Sequence, residues 1–150
     1  MFVGTHTVGI DAKGRLSVPA AFRAALKGAD HVYVWPSYRG PFLEGGDADW
    51  LARMHAALSQ RGDLDAARDD FGYAIFAEAR ALALDETGRA SLPDDLRAHA
   101  GLNGKAAFAG LSDWFEIWAP EGLAARVAKA RAAAAESRSL LAPWSRKAIP

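Results

Sequence analysis

The sequence has no cysteine among its 150 residues, which excludes thiol catalysis, disulfides and cysteine-bound metal and suits a reducing compartment. It also lacks net charge, 18 Lys and Arg balancing 18 Asp and Glu, so it is not built as a general coat for polyanions. No apolar run approaches the roughly 20 residues needed to cross a bilayer, and the opening Met1-Phe2-Val3-Gly4-Thr5 has no basic stretch of the kind that begins a secretory signal. The expectation is a cytoplasmic protein without a membrane partner. No GxGxxG, GxxxxGK[ST] or GxSxG pattern occurs, so nucleotide-cradling loops and nucleophile elbows lack support. His6, His31, His55 and His99 are scattered without the i, i+4 spacing of a metal site, and neither metal nor cofactor is expected.

What the sequence does hold is a repeat. Val8-Gly9-Ile10-Asp11-Ala12-Lys13-Gly14-Arg15-Leu16-Ser17-Val18-Pro19 returns 74 residues later as Leu82-Ala83-Leu84-Asp85-Glu86-Thr87-Gly88-Arg89-Ala90-Ser91-Leu92-Pro93. The same offset pairs Phe22 with Leu96, Arg23 with Arg97 and Ala24 with Ala98. Two copies are too few for a solenoid, so a pseudo-twofold domain is expected, with halves at residues 1–70 and 71–140 and a loosely held tail at 141–150. At 51% hydrophobic content a chain of this length buries about two-thirds of its unfolded surface without a staple. Charge is uneven along it: the balance is +2 over residues 1–30, −6 over 31–120 and +4 over 121–150. A basic beginning and end permit a local anion-binding face.

Within the first copy, Thr7 to Ile10 reads as a strand, Asp11 to Gly14 as a turn and Arg15 to Val18 as a returning strand, together a hairpin. Aspartate suits the turn because its carboxylate accepts from amides two residues on, and Gly14 and Gly88 tolerate positive φ. Pro19 and Pro93 fit the first position of a short helix, over Ala20 to Leu26 in one half and from Asp94 in the other, where Asp94 and Asp95 suit the helix dipole. Second strands follow at Val32–Trp35 and Ala106–Ala109. The run Trp114-Phe115-Glu116-Ile117-Trp118 alternates strictly and reads as half-buried sheet, its two tryptophans as core or subunit contacts. A helix from Ala48 to Gln60 shares Trp50, Leu51, Met54 and Leu58 on one face, and an alanine-rich helix covers residues 121–139. Residues 62–70 read as an acidic connection and Pro36 to Asp49 as a rim loop. Leu140, Leu141 and Trp144 offer a surface that could dock on a neighbouring chain.

The one polar pattern present in both halves is aspartate followed four residues later by arginine, Asp11 to Arg15 and Asp85 to Arg89. A structural role suits Asp11 and Asp85, each holding its turn and pairing with its arginine in an exposed ion pair that contributes little to stability. For Arg15 and Arg89 a binding role competes, since a guanidinium fixed beside a turn offers a bidentate donor to phosphate or guanine. Lys13 is either a solvated lysine or a phosphate contact, and its counterpart Thr87 is uncharged, which makes the second turn the weaker anion binder. Twin aspartates also invite comparison with the shared-proton dyad of aspartic proteases. There the aspartate leads directly into Thr/Ser-Gly, whereas here two residues intervene and arginines follow, which keep both carboxylates ionised. No catalytic residue is expected.

These segments, the opening Met1-Phe2-Val3-Gly4, the stretch Asp11 to Pro19 and the second Asp85-Glu86-Thr87-Gly88-Arg89 before Pro93, resemble the MraZ family over residues 1 to about 140. The resemblance implies an α+β fold, a pseudo-twofold AbrB-like (swapped-hairpin) β-barrel built from two tandem repeats, each followed by a helix. It implies a nucleoid-associated transcriptional regulator that binds double-stranded DNA at short direct repeats upstream of its own operon and represses the division and cell-wall gene cluster. Ring-shaped homo-oligomers are expected, in which weak single contacts add. The family's DNA-binding positions carry over to Lys13, Gly14, Arg15, Thr87, Gly88 and Arg89, with Asp11 and Asp85 as structural turn residues. The competing expectations are a protein-interaction module of antitoxin-like fold, or a modulator of a neighbouring RNA methyltransferase. An unclassified enzyme has no sequence feature in its favour.

Overall fold

The computed structural model describes residues 1–143. Contacts divide the chain into a unit over Met1–Pro120 and another from Glu121 onward. The first is α+β and antiparallel throughout. A six-stranded sheet runs in the order β1 (Thr5–Gly9), β7 (Lys105–Gly110), β8 (Phe115–Trp118), β4 (Leu43–Gly46), β3 (His31–Pro36), β5 (Arg80–Ala83). A separate two-stranded ribbon joins β2 (Arg15–Ser17) to β6 (Arg89–Ser91). The order is symmetric about the β4–β8 junction, where Glu44 faces Glu116. Strands of one half pair with strands of the other, β1 with β7, β3 with β5 and β2 with β6.

This exchange corrects two expectations. Asp11 to Gly14 does form a tight turn, with Gly14 N–H donating to Asp11 O at 3.0 Å and Asp11 N–H to Arg15 O at 3.0 Å, but its arms do not pair as a hairpin. The backbone groups of β1 are taken by β7 and those of β2 by β6. Nor is the sheet a closed barrel. β1 and β5 remain its two edges, with β2 lying beside β1 and β6 beside β5. The ribbon strands stop at three residues each, just short of Pro19 and Pro93, which have no N–H to extend a ladder.

One face of the large sheet and the ribbon enclose the core. Leu16, Val18, Ala90 and Leu92 come from the ribbon side, Val32, Val34, Leu43, Leu82, Ala106, Phe108, Phe115 and Ile117 from the sheet. Two short helices close the ends, α1 (Ala20–Ala25) through Phe22 and α4 (Asp94–His99) through Leu96. Phe22 and Leu96 are 0% and 1% exposed, and burying each such side chain stabilises by about 1.5–3 kcal/mol. Pro19 and Pro93 stand one position earlier than expected, as N-caps with ψ of 139° and 150°. Their extended ψ leaves the carbonyl free to begin the helix, and Arg23 N–H and Arg97 N–H donate to Pro19 O and Pro93 O.

Three further segments depart from the sequence reading. The stretch Pro36 to Asp49 is not a rim loop, because its Leu43–Gly46 portion is the fully buried strand β4. Glycine is required there: a Cβ on Gly45 would lie 2.5 Å from Cε2 of Phe115, and one on Gly46 3.0 Å from Cδ1 of Trp50. Strand β8 is buried on both faces rather than one. On its outer face Trp118 stacks on Phe42 at 4.2 Å, and Arg39 donates to Glu44 at 2.6 Å and to Glu116 at 3.2 Å. Trp114 precedes the strand and stacks on Trp50 at 5.1 Å. The acidic connection at 62–70 contains helix α3 (Ala66–Phe71), capped by Asp65, whose carboxylate accepts from Ala67 N–H and Arg68 N–H. A π-helical turn, Gly72–Phe76, follows it. Helix α2 (Ala48–Ser59) lies where expected, capped by Asp47 on Trp50 N–H.

The second unit holds the alanine-rich helix, α5 (Pro120–Glu136), exposed along nearly all its length beyond Leu123. A short 3-10 turn at Arg138–Leu141 follows, with Leu140 and Leu141 exposed. Trp144 and most of the tail at 141–150 lie outside the described residues.

Candidate nucleic-acid interface

The twin Asp-x-x-x-Arg segments meet at the β2–β6 ribbon. Period-two alternation sends Leu16 and Ala90 into the core, which leaves Arg15, Ser17, Arg89 and Ser91 on the outward face. Register places Arg15 opposite Ser91 and Arg89 opposite Ser17, so the two arginines are diagonal neighbours, about 7–8 Å apart at Cα. Every outward side chain of the ribbon is thus a hydrogen-bonding group, and the two arginines stand at its opposite ends, each tied to the aspartate of its own turn.

Each aspartate ties its turn to its arginine. Asp11 Oδ1 accepts from Lys13 N–H at 3.0 Å and Arg15 N–H at 2.8 Å, while Oδ2 accepts from Arg15 Nε at 2.7 Å. Asp85 repeats this with Thr87 N–H at 2.9 Å, Arg89 N–H at 2.9 Å and Arg89 Nε at 3.0 Å, and adds the Thr87 hydroxyl at 2.8 Å. The Arg15 amide, then its guanidinium, hold the Asp11 carboxyl below the usual range. The Arg89 amide and the Thr87 hydroxyl push Asp85 further down. Both carboxylates engage only Nε, and among the described residues the terminal amino groups of Arg15 and Arg89 have no protein partner. A guanidinium free at both amino groups has the fork geometry that suits a guanine edge or a phosphate.

The turns are braced from the opposite half. Val18 N–H donates to Gly88 O at 3.0 Å and Leu92 N–H to Gly14 O at 2.9 Å, so each turn is the far end of the other half's ribbon strand. Gly14 and Gly88 have φ of +78° and +81°, in the left-handed region that disfavours a Cβ. The space is also taken by an arginine of the opposite half. A Cβ on Gly14 would lie 2.6 Å from Nη1 of Arg97, and one on Gly88 2.6 Å from Cζ of Arg23. The structure therefore gathers Gly14, Arg15, Gly88 and Arg89 around one ribbon, with Lys13 and Thr87 exposed at the turn tips. It adds Arg23 and Arg97, which the sequence reading aligned in the repeat but gave no role. Their shared place in the repeat was the signal available.

Among the described residues no group of His, Asp or Glu is arranged to hold a metal ion. His6 packs edge-on against Phe22 at 5.3 Å, His31 contacts Asp30 at 2.9 Å, and His99 reaches Gly40 O at 3.0 Å. No helix among them is long and apolar enough to cross a membrane.

The chain matches the family model described as "MraZ protein, putative antitoxin-like" over residues 1–35 and 75–141, stretches that include every element of the ribbon. It is 37% identical to the transcriptional regulator MraZ of Xanthobacter autotrophicus over 142 residues, 93% of this chain and 90% of that one. Against the protein of the same name from Gluconobacter oxydans identity is 40%, covering 89% and 85%. Against that of Hyphomonas neptunium it is 42%, covering 81% and 74%.

Proposed function

The chain belongs to the MraZ family of transcriptional regulators, and we propose that it acts by binding double-stranded DNA at short direct repeats upstream of its own operon. The observation that carries this reading is the ribbon whose outward row is Arg15, Ser17, Arg89 and Ser91. A major groove about 12 Å wide admits a two-stranded ribbon. The backbone spacing of the two arginines, about 7–8 Å, corresponds to about two base steps. Each guanidinium, oriented by its aspartate, reads a guanine edge, a contact worth about 1–3 kcal/mol of discrimination. Lys13 and the exposed turn tips meet phosphates, while Gly14 and Gly88 let the backbone turn there. Exchange of strands between the halves is read as the AbrB-like swapped-hairpin arrangement, with residues 1–70 and 71–140 as its two copies. Copies of the chain assemble into a ring, so that contacts to successive repeats add, and the output is repression of the division and cell-wall gene cluster in the nucleoid.

Fluorescence anisotropy across a salt series tests this, using the DNA upstream of the operon, a scrambled duplex and Arg15→Ala. The expected result is tight binding that weakens by about 0.9 log units per phosphate contact for each decade of salt, lost with the scrambled duplex and in Arg15→Ala at unchanged thermal stability. Equal weak binding to both duplexes, indifferent to Arg15→Ala, sinks the reading and favours a protein-interaction module, with an RNA methyltransferase as the partner to test.

A further inference from the structure

The two turns carry different charges. At the first tip stands Lys13, at the second Thr87, with Glu86 beside it where the first half has Ala12. By sequence the second turn holds one cation fewer and one anion more. The helices that brace the turns differ in the opposite sense. Arg97, packed on Gly14 of the first turn, is ion-paired with Asp94. Arg23, packed on Gly88 of the second turn, has no ion pair among the described residues. Ala20 occupies the repeat position of Asp94, so the carboxylate that neutralises Arg97 has no equivalent for Arg23.

The Arg23 guanidinium is fixed in place. Its Nε donates to Val18 O at 3.1 Å, and its Cζ fills the space over Gly88 that a Cβ would need. Among the described residues its two amino groups have no protein partner, and they are not among the buried unpartnered nitrogens, which are those of His6, Trp35 and Trp114. They therefore reach solvent beside the second turn.

We propose that Arg23 is a phosphate-binding residue of the second turn, supplying the unpaired cation that Lys13 supplies at the first. The ligand is the phosphodiester backbone, and the inference rests on the DNA-binding reading above. Each turn then carries one unpaired cation besides its ribbon arginine: Lys13 from the first half's own turn, Arg23 from a helix of the opposite half to the turn it serves.

The test is the salt slope of operator binding in Arg23→Gln and in Ala20→Asp. Ala20 is exposed, and an aspartate there recreates the Asp94–Arg97 pairing, neutralising Arg23 while leaving its packing in place. Both variants are expected to lower the log-log slope by about 0.9 for each copy of the chain engaged on the operator, so that between about 50 and about 200 mM salt they lose about 3-fold less affinity per engaged copy than the parent. The combined variant falls no further than either alone. Arg97→Gln leaves the slope unchanged, and Thr87→Lys restores it in the Arg23→Gln background. A parental slope in both Arg23→Gln and Ala20→Asp, with Arg15→Ala still abolishing binding, overturns this inference alone. Equal, weak binding to the operator and scrambled duplexes that Arg15→Ala leaves unchanged overturns the DNA reading and this inference with it.

Discussion

Gly45→Ala tests whether the glycines of β4 are dictated by the strand opposite. Gly45 faces Phe115 in the β4–β8 register, and the Phe115 ring lies across it, so an added Cβ would stand 2.5 Å from Cε2. Ordinary contact begins near 3.4 Å, and the ring must therefore retreat by about 1 Å. Its retreat is resisted: Phe115 is 0% exposed and is held by Phe2 at 5.1 Å, Phe22 at 5.5 Å and Phe108 at 5.7 Å between ring centroids. Overpacking of this kind costs about 1–3 kcal/mol, offset by the roughly 0.5–1 kcal/mol that alanine recovers in backbone entropy. A net loss of about 1–2 kcal/mol is expected in urea unfolding followed by tryptophan fluorescence. Phe115→Leu alone loses about 1–3 kcal/mol through the space it vacates. Because that space is the space the Gly45→Ala methyl needs, the double variant is more stable than the sum of the singles by about 1 kcal/mol or more. Additivity within about 0.5 kcal/mol would refute the reasoning, since it would mean that the ring and the missing Cβ do not compete for one volume.

Three other outcomes follow from the same geometry. Asp11 and Asp85 have folded-state pKa values below the ordinary 3.8, so their contribution is present above about 3.8 and disappears as pH falls through the lowered values. Asp11→Asn with Asp85→Asn lowers Tm at neutral pH and makes its fall between about pH 4 and pH 2 shallower, the remaining slope coming from Asp30, Asp65 and Asp95, held down by His31, by the Ala67 amide with Arg61, and by Arg80. Arg39→Met leaves Glu44 and Glu116, 8% and 7% exposed, facing each other without their shared cation. The expected loss in urea unfolding is about 1–3 kcal/mol, below the full buried-pair value because Arg39 is 43% exposed, and Glu44→Gln in that background recovers part of it. Finally, Phe22→Ala in α1 costs about 3–5 kcal/mol and lowers hydrogen-exchange protection equally in β3 and β7, because strands of the two halves interleave. Protection lost only in the first half would show that the halves open separately.

What the sequence made legible was local. Helix α2 was readable from the spacing of its apolar residues, β3 and β7 from apolar runs, and both aspartate turns from Asp and Gly. Strand β4 was not, because Gly45 and Gly46 erase the side-chain alternation that marks a strand, and the groups that fill their places, Phe115 and Trp50, lie elsewhere in the chain. Helix α3 hid in the same way: Asp65 and Asp69 read as solvated charge, yet Asp65 caps two amides. Strand pairing was beyond local pattern altogether. Nothing about Val8 says that its partner is Ala106, and a turn closed as tightly as Asp11 to Gly14 is indistinguishable in sequence from a hairpin until each arm finds a ladder in the other half. The site was half legible for the same reason. Arg15 and Arg89 announce themselves by repetition, but Arg23 meets Gly88 only through the exchange of strands.

That exchange bears on how a chain of zero net charge binds a polyanion in the proposed reading. Each ribbon arginine is matched with an aspartate, so the motif contributes geometry more than charge: the carboxylate takes Nε, lowers the entropy of a long side chain and leaves a pre-aimed fork. The unpaired cations that this reading sets against phosphate, Lys13 and Arg23, are then only two per copy. With few phosphates neutralised, nonspecific affinity stays low, and discrimination rests on the arginine forks at base edges. A protein built this way gains occupancy through several copies on several repeats rather than through charge on one. Because each turn is braced by a strand and an arginine of the opposite half, neither half can present its fork without the other.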